Sequence, residues 1–281
     1  MNKIRLLVHP DTCFVFHMLS VSKCGYENDH GAKYRSLYAP NDLAILHKYE
    51  PLLTVQGGEY CGKLYWHLVA QPACGKMSAM EFYHAFPQSA EAKHLAEFHQ
   101  PISEICSVME RCYPIFQKDV WPQSKAAIEN YIVPLADRFD ESKFTDCAEQ
   151  LVGCTLKAPA FYALMTDSME NGAEGIDIAP DMDVFSITRS YEEAYTFIAH
   201  EFIIYLLKSA LQGTSAFQSV ATWPITEALA EYYLQQIVGQ TSIFTLQEKW
   251  RVFYEEFAIE HPDLTPVDLY RAAEAALQIV Q

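Results

Sequence analysis

The chain has 281 residues, of which 50% are hydrophobic and 13% aromatic, so it is not a disordered chain and has ample material for a core. Lysine and arginine number 20 against 36 acidic residues, and the net charge of −16 argues against a general nucleic-acid binder or an anionic-membrane binder. The 8 cysteines form no CxxC pair and no zinc-finger spacing. We interpret them as reduced, mostly buried thiols of a cytoplasmic protein.

The beginning of the chain predicts one strand followed by one apolar helix. Residues 3–8 favour a strand, and Asp11 is placed to cap a helix that runs to about Lys23. Polar residues interrupt this segment, so it does not resemble a signal peptide. The polar stretch 24–41, with two glycines and a proline, predicts a loop. No run of about 18 apolar residues predicts a membrane span.

Helices are predicted for most of the remaining first half. Ser78 and Glu81 form a capping box at the start of one of them. The others are predicted at 42–50, at 62–70 and in three segments between 89 and 140. Four prolines are expected to break or kink the last three segments: Pro101, Pro114, Pro122 and Pro134.

The hydrophobic pattern changes near residue 155. Residues 161–167 favour a strand, 170–175 are rich in turn residues, and the alternation in 176–188 predicts one or two further strands. After Ser190 the pattern is helical almost to the end of the chain. A small sheet between two helical stretches predicts an α+β protein that is mainly α.

Two domain organisations remain open at this point. One divides the chain into a mainly helical region, 1–150, and a second region, 151–281. The other is a single compact domain, since no flexible linker marks the boundary.

A histidine and a glutamate interrupt an almost wholly apolar helix. His200 and Glu201 lie inside the run 197–207, where burial is costly unless both side chains are paired or ligate a metal. Glu227 follows His200 by 27 residues on the next predicted helix. Glu231 lies four residues further and shares its helical face.

This pattern resembles the gluzincin clan of zinc metallopeptidases. The N-terminal half, with its short strand and apolar helix, more loosely resembles an uncharacterised bacterial family of that type. In that clan HExxH lies on one helix, the third ligand is a glutamate on the next helix, and a small sheet precedes both. The resemblance covers about residues 155–240 and implies a zincin-like domain. It implies that His200 and Glu227 are metal ligands and Glu201 is the catalytic base that activates water. Glu231 would then hydrogen-bond a ligating histidine.

The chain departs from the gluzincin pattern at one ligand position. Ile204 stands where the second histidine belongs, so the motif is a degenerate HExxI. A catalytic zinc site uses three protein ligands and water, and only two of those ligands remain. One interpretation is a zinc ion whose third ligand comes from a residue distant in sequence. Another is an oxygen-rich site that includes Glu231 and suits Mn²⁺ or Ca²⁺. The third is no cofactor, with His200 hydrogen-bonded to Glu227 or Glu231.

Two functions follow from the resemblance, and whether the protein is an enzyme stays open between them. The first is a metal-dependent hydrolase of the peptidase type with a degenerate metal site. The alternative is a catalytically inactive relative, a pseudoenzyme that binds a peptide or a protein. In both cases the expected partner is a peptide or protein, not nucleic acid or a membrane.

Two further sets of side chains have both a functional and a structural interpretation. Asp177, Asp181 and Asp183 alternate along a predicted strand, which fits a cation site or, as we favour, a solvated edge-strand face. Three tyrosines are candidate hydrogen-bond donors to a tetrahedral intermediate or, more simply, core residues: Tyr232, Tyr233 and Tyr254.

Overall fold

The computed structural model describes residues 2–25, 27–56, 60–169, 176–218, 221–239, 248–261 and 263–280. The protein is 69% helical and has a small four-stranded mixed sheet, which confirms the predicted α+β, mainly α class. None of the helices in this part of the chain has the length and apolar character needed to cross a membrane.

The strands and α-helices of the described residues have the following bounds. The strands are β1 (Ile4–Leu7), β2 (Val55–Gln56), β3 (Tyr60–Cys61), β4 (Phe161–Thr166), β5 (Ile176–Ala179) and β6 (Met182–Ser186). The first helices are α1 (Pro10–Val21), α2 (Asp29–Tyr34), α3 (Pro40–Lys48), α4 (Glu50–Leu53), α5 (Gln71–Ala73), α6 (Ala79–Ala85), α7 (Ala90–His94), α8 (His99–Asp119) and α9 (Trp121–Ser142). The last are α10 (Phe144–Val152), α11 (Tyr191–Ala210), α12 (Trp223–Val238), α13 (Glu248–Glu260) and α14 (Pro266–Val280). Residues 66–70, within the helix predicted at 62–70, form a π-helical turn.

Contacts between residues divide the chain into two compact units. The first unit comprises Met1–Arg5, Ala136–Phe161 and Tyr191–Gln281. The second unit comprises Leu6–Leu135 and Tyr162–Ser190. The division of the sequence at residue 150 stays a prediction.

The main sheet has the strand order β1-β4-β6-β5. β4 and β6 are parallel, with Leu164 opposite Val184, and β5 is antiparallel to β6. The central strands are almost entirely buried, as their apolar composition requires. The predicted strands after residue 155 are therefore confirmed, whereas the turn expected at 170–175 lies outside the described residues.

Helix α1 forms the centre of the second unit. Its residues from Asp11 to Val21 are all buried, which is typical of a helix that is apolar on every side. The predicted cap at Asp11 is wrong, because the ring of His9 accepts the hydrogen bond from the Asp11 amide. The buried Asp11 carboxylate instead accepts hydrogen bonds from the Ala79 amide at 3.0 Å and the Tyr113 hydroxyl at 2.8 Å.

Three local predictions in the first half meet different outcomes. The loop predicted at 24–41 is wrong in its centre, where α2 forms. Ser78 caps α6 and pairs with Glu81, as the capping box predicts. Of the two effects predicted for Pro114 and Pro134, a break is wrong, since each proline lies inside a continuous helix, and a kink stays a prediction.

The first unit surrounds α11 with helices and aromatic rings. α10 and α12 both pack against α11, and α13 and α14 pack against α12. The ring of Tyr195 lies 4.5 Å from that of Phe139, and Phe202 contacts the rings of Phe144 and Phe161. This aromatic packing fixes the helix that carries the candidate site.

The structure describes the side chains of Cys13, Cys24, Cys74, Cys106, Cys112, Cys147 and Cys154, and none of these is in a disulfide. Their reduced state in the cell stays a prediction. Four of them are buried, namely Cys13, Cys24, Cys106 and Cys112. Among the cysteines whose side chains are described, only Cys147 is exposed, and Cys74 and Cys154 are half-buried.

Candidate functional site

The candidate site lies within the first unit, on helices α11 and α12. α11 begins with Glu192 and Glu193 in its first turn and ends with Lys208 in its last turn, which suits the helix dipole. Between these ends the helix is buried almost continuously. The apolar side chains on every face of α11 therefore pack against other parts of the protein and not against solvent.

Helix α12 supplies the second side of the site. Pro224 lies in its first turn, and Gly239 ends it in the left-handed conformation with φ of 67°. Three residues share one face because they are four apart: Trp223, Glu227 and Glu231. Along this face exposure falls from 46% at Trp223 to 1% at Glu231.

A direct hydrogen bond joins the two helices. His200 Nε2 lies 2.9 Å from Glu227 Oε2, although 27 residues separate them in sequence. The His200 side chain is buried, whereas that of Glu227 keeps 16% exposure. The structure thus brings together the two residues that the resemblance names as metal ligands.

The carboxylates around His200 control its charge. Burial on its own lowers the pKa of His200, but the hydrogen bond to Glu227 and the charges of Glu227, Glu201 and Glu231 outweigh it and raise the pKa. Glu201 is half-buried and Glu231 is buried. Each of the three glutamates therefore interacts electrostatically with His200.

Ile204 belongs to the core. It lies one turn after His200 on the same helical face, and its exposure is 2%. Its hydrocarbon side chain contributes packing where the gluzincin pattern has its second imidazole. At this position the site therefore differs in its chemistry from the gluzincin pattern.

The donor set does not fit a catalytic zinc ion. Such an ion takes three protein ligands and a water, with Zn–N and Zn–O distances of about 2.0–2.2 Å. His200 and Glu227 supply two donors, and the third position holds Ile204. Across the described residues, no group of three or more His, Cys, Asp or Glu side chains is arranged to hold a metal ion. Zinc with a replacement ligand, or Mn²⁺ or Ca²⁺ with Glu231, stays a prediction.

The candidate tyrosines have structural partners. Tyr254 is buried, and its hydroxyl donates to the carbonyl of Ile225 at 3.0 Å. Tyr233 is also buried, and Tyr232 packs against the rings of both. These contacts support the core interpretation of Tyr233 and Tyr254.

The acidic row on β5 and β6 differs from the solvated face that we favoured. Asp177 stands directly opposite Asp183 in the antiparallel pair. Asp177 is exposed, but Asp183 is buried. The alternation of polar residues predicts that side chains share a face, but it does not show which elements cover that face.

One candidate residue was missed in the sequence. Trp223 is exposed at the start of α12, one turn before Glu227 and on the same face. An aromatic residue four positions before a candidate carboxylate is the signal that indicates it.

No protein-family model, curated protein or solved structure matches the chain.

Proposed function

We propose that the protein is a metallopeptidase-like pseudoenzyme of the gluzincin type, which binds a peptide or a segment of a partner protein without cleaving it. One observation carries this proposal: His200 is hydrogen-bonded directly to Glu227 at 2.9 Å, while Ile204 occupies the core position of the second imidazole. The hydrogen bond between His200 and Glu227 then links α11 and α12, and these two helices form a binding surface. The small sheet before α11 supports the zincin-like part of the proposal.

The charges near the pair indicate the chemistry of the partner. Glu201 and Glu227 are both partly exposed. Carboxylates at a binding surface favour a cationic group, such as a lysine or arginine side chain or a peptide amino terminus. The overall charge of −16 favours the same partner through long-range attraction.

Trp223 indicates an apolar contact beside the charged one. Its side chain is large and 46% exposed, and tryptophan is enriched among residues that dominate binding energy. Because Trp223 and Glu227 share a helical face, one ligand is able to contact both. We therefore infer a peptide segment that pairs a basic residue with an apolar one. We place its action in the cytoplasm, where the buried thiols stay reduced.

Metal content separates this proposal from the hydrolase interpretation. The purified protein is dialysed against excess Zn²⁺ and then against plain buffer, and its metal is measured by elemental mass spectrometry. We expect much less than one zinc ion per chain. One stoichiometric zinc ion that is lost in Glu227→Ala, with peptide hydrolysis that is lost in Glu201→Gln, would overturn the proposal in favour of a hydrolase.

Binding is tested in the presence of a chelator with two labelled peptides of equal length. One alternates lysine and leucine, and the other alternates glutamate and leucine. We expect anisotropy to show binding of the lysine peptide only, weakened about tenfold by Glu227→Gln or by Trp223→Ala, because a charged contact or an aromatic anchor is worth about 1.4 kcal/mol or more. Glu256→Gln, an exposed position on α13, is the matched control. Equal binding of both peptides, or none, would contradict the inferred partner.

A further inference from the structure

A second buried cluster of titratable groups lies in the second unit, apart from the proposed binding surface. His17 is in the middle of α1 and is fully buried. Its Nδ1 atom lies 2.7 Å from Nε2 of His30, which is on α2. Its Nε2 atom lies 2.8 Å from the hydroxyl of Tyr38. Both ring nitrogens of His17 are therefore committed to hydrogen bonds inside the protein.

The backbone of α2 is held very close to α1 beside this contact. A Cβ atom at Gly31 would lie 2.5 Å from the carbonyl oxygen of Ser20, so only glycine permits the approach. The side-chain oxygen of Asn28 accepts hydrogen bonds from the Ser20 hydroxyl at 2.6 Å and from the Gly31 amide at 2.8 Å. Its amide group donates to the carbonyl of Ser168 at 2.8 Å. These contacts place His30 against His17.

The contact between the two rings limits how many protons they hold. In a hydrogen bond between two nitrogens, one donates and the other must have a free lone pair. The pair tolerates one added proton, since His30 is able to donate to a neutral His17. With both rings protonated, each facing nitrogen carries a hydrogen, and two positive charges face each other across 2.7 Å. The closed arrangement therefore excludes the second proton.

The surroundings favour the first proton on His30. The carboxylate of Asp167 lies 3.6 Å from Nδ1 of His30 and accepts a hydrogen bond from the hydroxyl of Ser124 at 2.7 Å. Burial, and then the charge of His30, hold the pKa of His17 well below its ordinary range. Tyr34 on α2 packs against both imidazole rings. Cys112 and Asp119 on α8 act electrostatically on Tyr38, and Cys13 on α1 lies within electrostatic reach of Asp167 and Asp11.

We propose that the contact between His17 and His30 is an acid-sensitive latch, which holds α2 on α1 near neutral pH and releases it in mild acid. Once α2 separates, both imidazoles are hydrated and bind protons with ordinary affinity. The released state then holds at least one proton more than the closed state, so mild acid favours release. α2 is short enough to separate as a local unit, because its six residues depend on contacts with α1.

Hydrogen exchange of α2 tests the latch directly. Amide exchange of a peptide covering residues 29–34 is measured by mass spectrometry at pH 7.5 and 5.5, with correction for the intrinsic pH dependence of exchange. If the closed state excludes one proton, the equilibrium constant for separation of α2 is about tenfold higher at pH 5.5 than at pH 7.5, because the ordinary pKa of histidine is about 6.5. A peptide from α8 provides the internal reference. No rise in α2 relative to α8 would overturn the proposal.

Two variants of His17 and one control assign the effect to the buried ring. In His17→Gln, which keeps a hydrogen-bonding side chain but cannot be charged, we expect less than a threefold rise, because the remaining imidazole of His30 beside Asp167 excludes no proton. His17→Asn has the same expected result and covers the case in which the first variant fails to fold. His84→Gln removes an exposed histidine of the same unit and should keep the full tenfold rise. A tenfold rise that persists in a folded His17→Gln or His17→Asn protein would contradict the latch.

Discussion

His200 Nε2 and Glu227 Oε2 lie 2.9 Å apart, which links the middle of α11 to the second turn of α12. The imidazole is buried and the carboxylate reaches partly to solvent. In a gluzincin the same two atoms would share a metal ion with a second histidine, but Ile204 packs into the core at that position. The chemistry that the structure shows for this pair is that of an interhelical hydrogen bond.

Removal of Glu227 should destabilise the first unit. In Glu227→Ala, the buried His200 loses its hydrogen-bond partner, and we expect the free energy of unfolding to fall by about 2–4 kcal/mol. Urea denaturation followed by circular dichroism measures this change. Glu256→Ala removes an exposed glutamate and should stay within about 0.5 kcal/mol of the wild type. Equal stability of the two variants would show that the interhelical bond contributes nothing.

Restoring the missing histidine should create a zinc-dependent gain in stability. Ile204→His buries a polar ring in the core, so without metal we expect a loss of about 2–4 kcal/mol. The new imidazole faces the same way as His200, so zinc should stabilise the folded variant, by about 2.7 kcal/mol at a free zinc concentration of 100 times the dissociation constant.

Ile204→Gln is the matched control for that experiment, because it has similar size and polarity but is a poor zinc ligand. Thermal unfolding with and without Zn²⁺ gives the comparison. If zinc raised the melting temperature of both variants equally, the placement of the site on α11 and α12 would be wrong.

The helices of the candidate site are largely determined by local sequence. The apolar run of α11 is long enough to predict a buried helix, and Pro224 marks the start of α12. The sequence also predicts that His200 needs a partner, because buried polar groups need partners, but it left Glu227 and Glu231 both open and the structure shows Glu227. Local patterns therefore predict which residues meet when each lies on a strong element and has an obvious need for a partner.

The elements that the sequence did not predict depend on tertiary contacts. α2 lies in a polar stretch with glycines, and its position is determined by Asn28 and by the close approach of Gly31 to Ser20. Pro114 lies inside α8, an amphipathic helix that buries a continuous apolar face and so continues past the proline. The burial of Asp183 depends in the same way on elements distant in sequence.

Buried cysteines should resist alkylation until the protein unfolds. Burial raises the pKa of Cys106 and of Cys112 to about 12, so their thiolate fraction near neutral pH is about a thousandfold below that of an ordinary thiol. Cys147 is exposed and should react first. Peptide mass spectrometry after timed treatment with iodoacetamide at pH 7.5, with and without urea, measures this order. Alkylation of Cys106 in the native protein as rapidly as Cys147 would contradict the burial.

The glycine contact of α2 predicts a strong effect of one methyl group. In Gly31→Ala, the new Cβ would meet the backbone oxygen of Ser20 at 2.5 Å, so α2 must move away from α1. Overpacking of this kind costs about 1–3 kcal/mol, and exchange of the α2 amides should rise at every pH. Ala32→Ser adds one atom at the adjacent exposed position and should leave exchange unchanged. Equal exchange in both variants would mean that the close approach is not needed.

The buried imidazole of His17 predicts how stability depends on pH. Burial and the neighbouring His30 lower the pKa of His17 in the folded protein below the ordinary 6.5, so the unfolded chain binds this proton more readily. The free energy of unfolding contributed by this group is therefore greatest above pH 6.5 and falls as the pH drops below it, by about 1.4 kcal/mol per pH unit.

Urea denaturation at pH 7.5, 6.5 and 5.5 measures that dependence in the wild type and in His17→Gln. Carboxylates contribute in both proteins to the loss of stability in acid. The difference between the wild type and His17→Gln in how the free energy of unfolding changes with pH therefore gives the contribution of His17. We expect the variant to be less stable at pH 7.5, because glutamine fills the site less well, but to lose less stability between pH 6.5 and 5.5. His84→Gln, at an exposed position, should keep the wild-type slope. Parallel curves for the wild type and His17→Gln would show that His17 binds its proton equally well in the folded and unfolded chains.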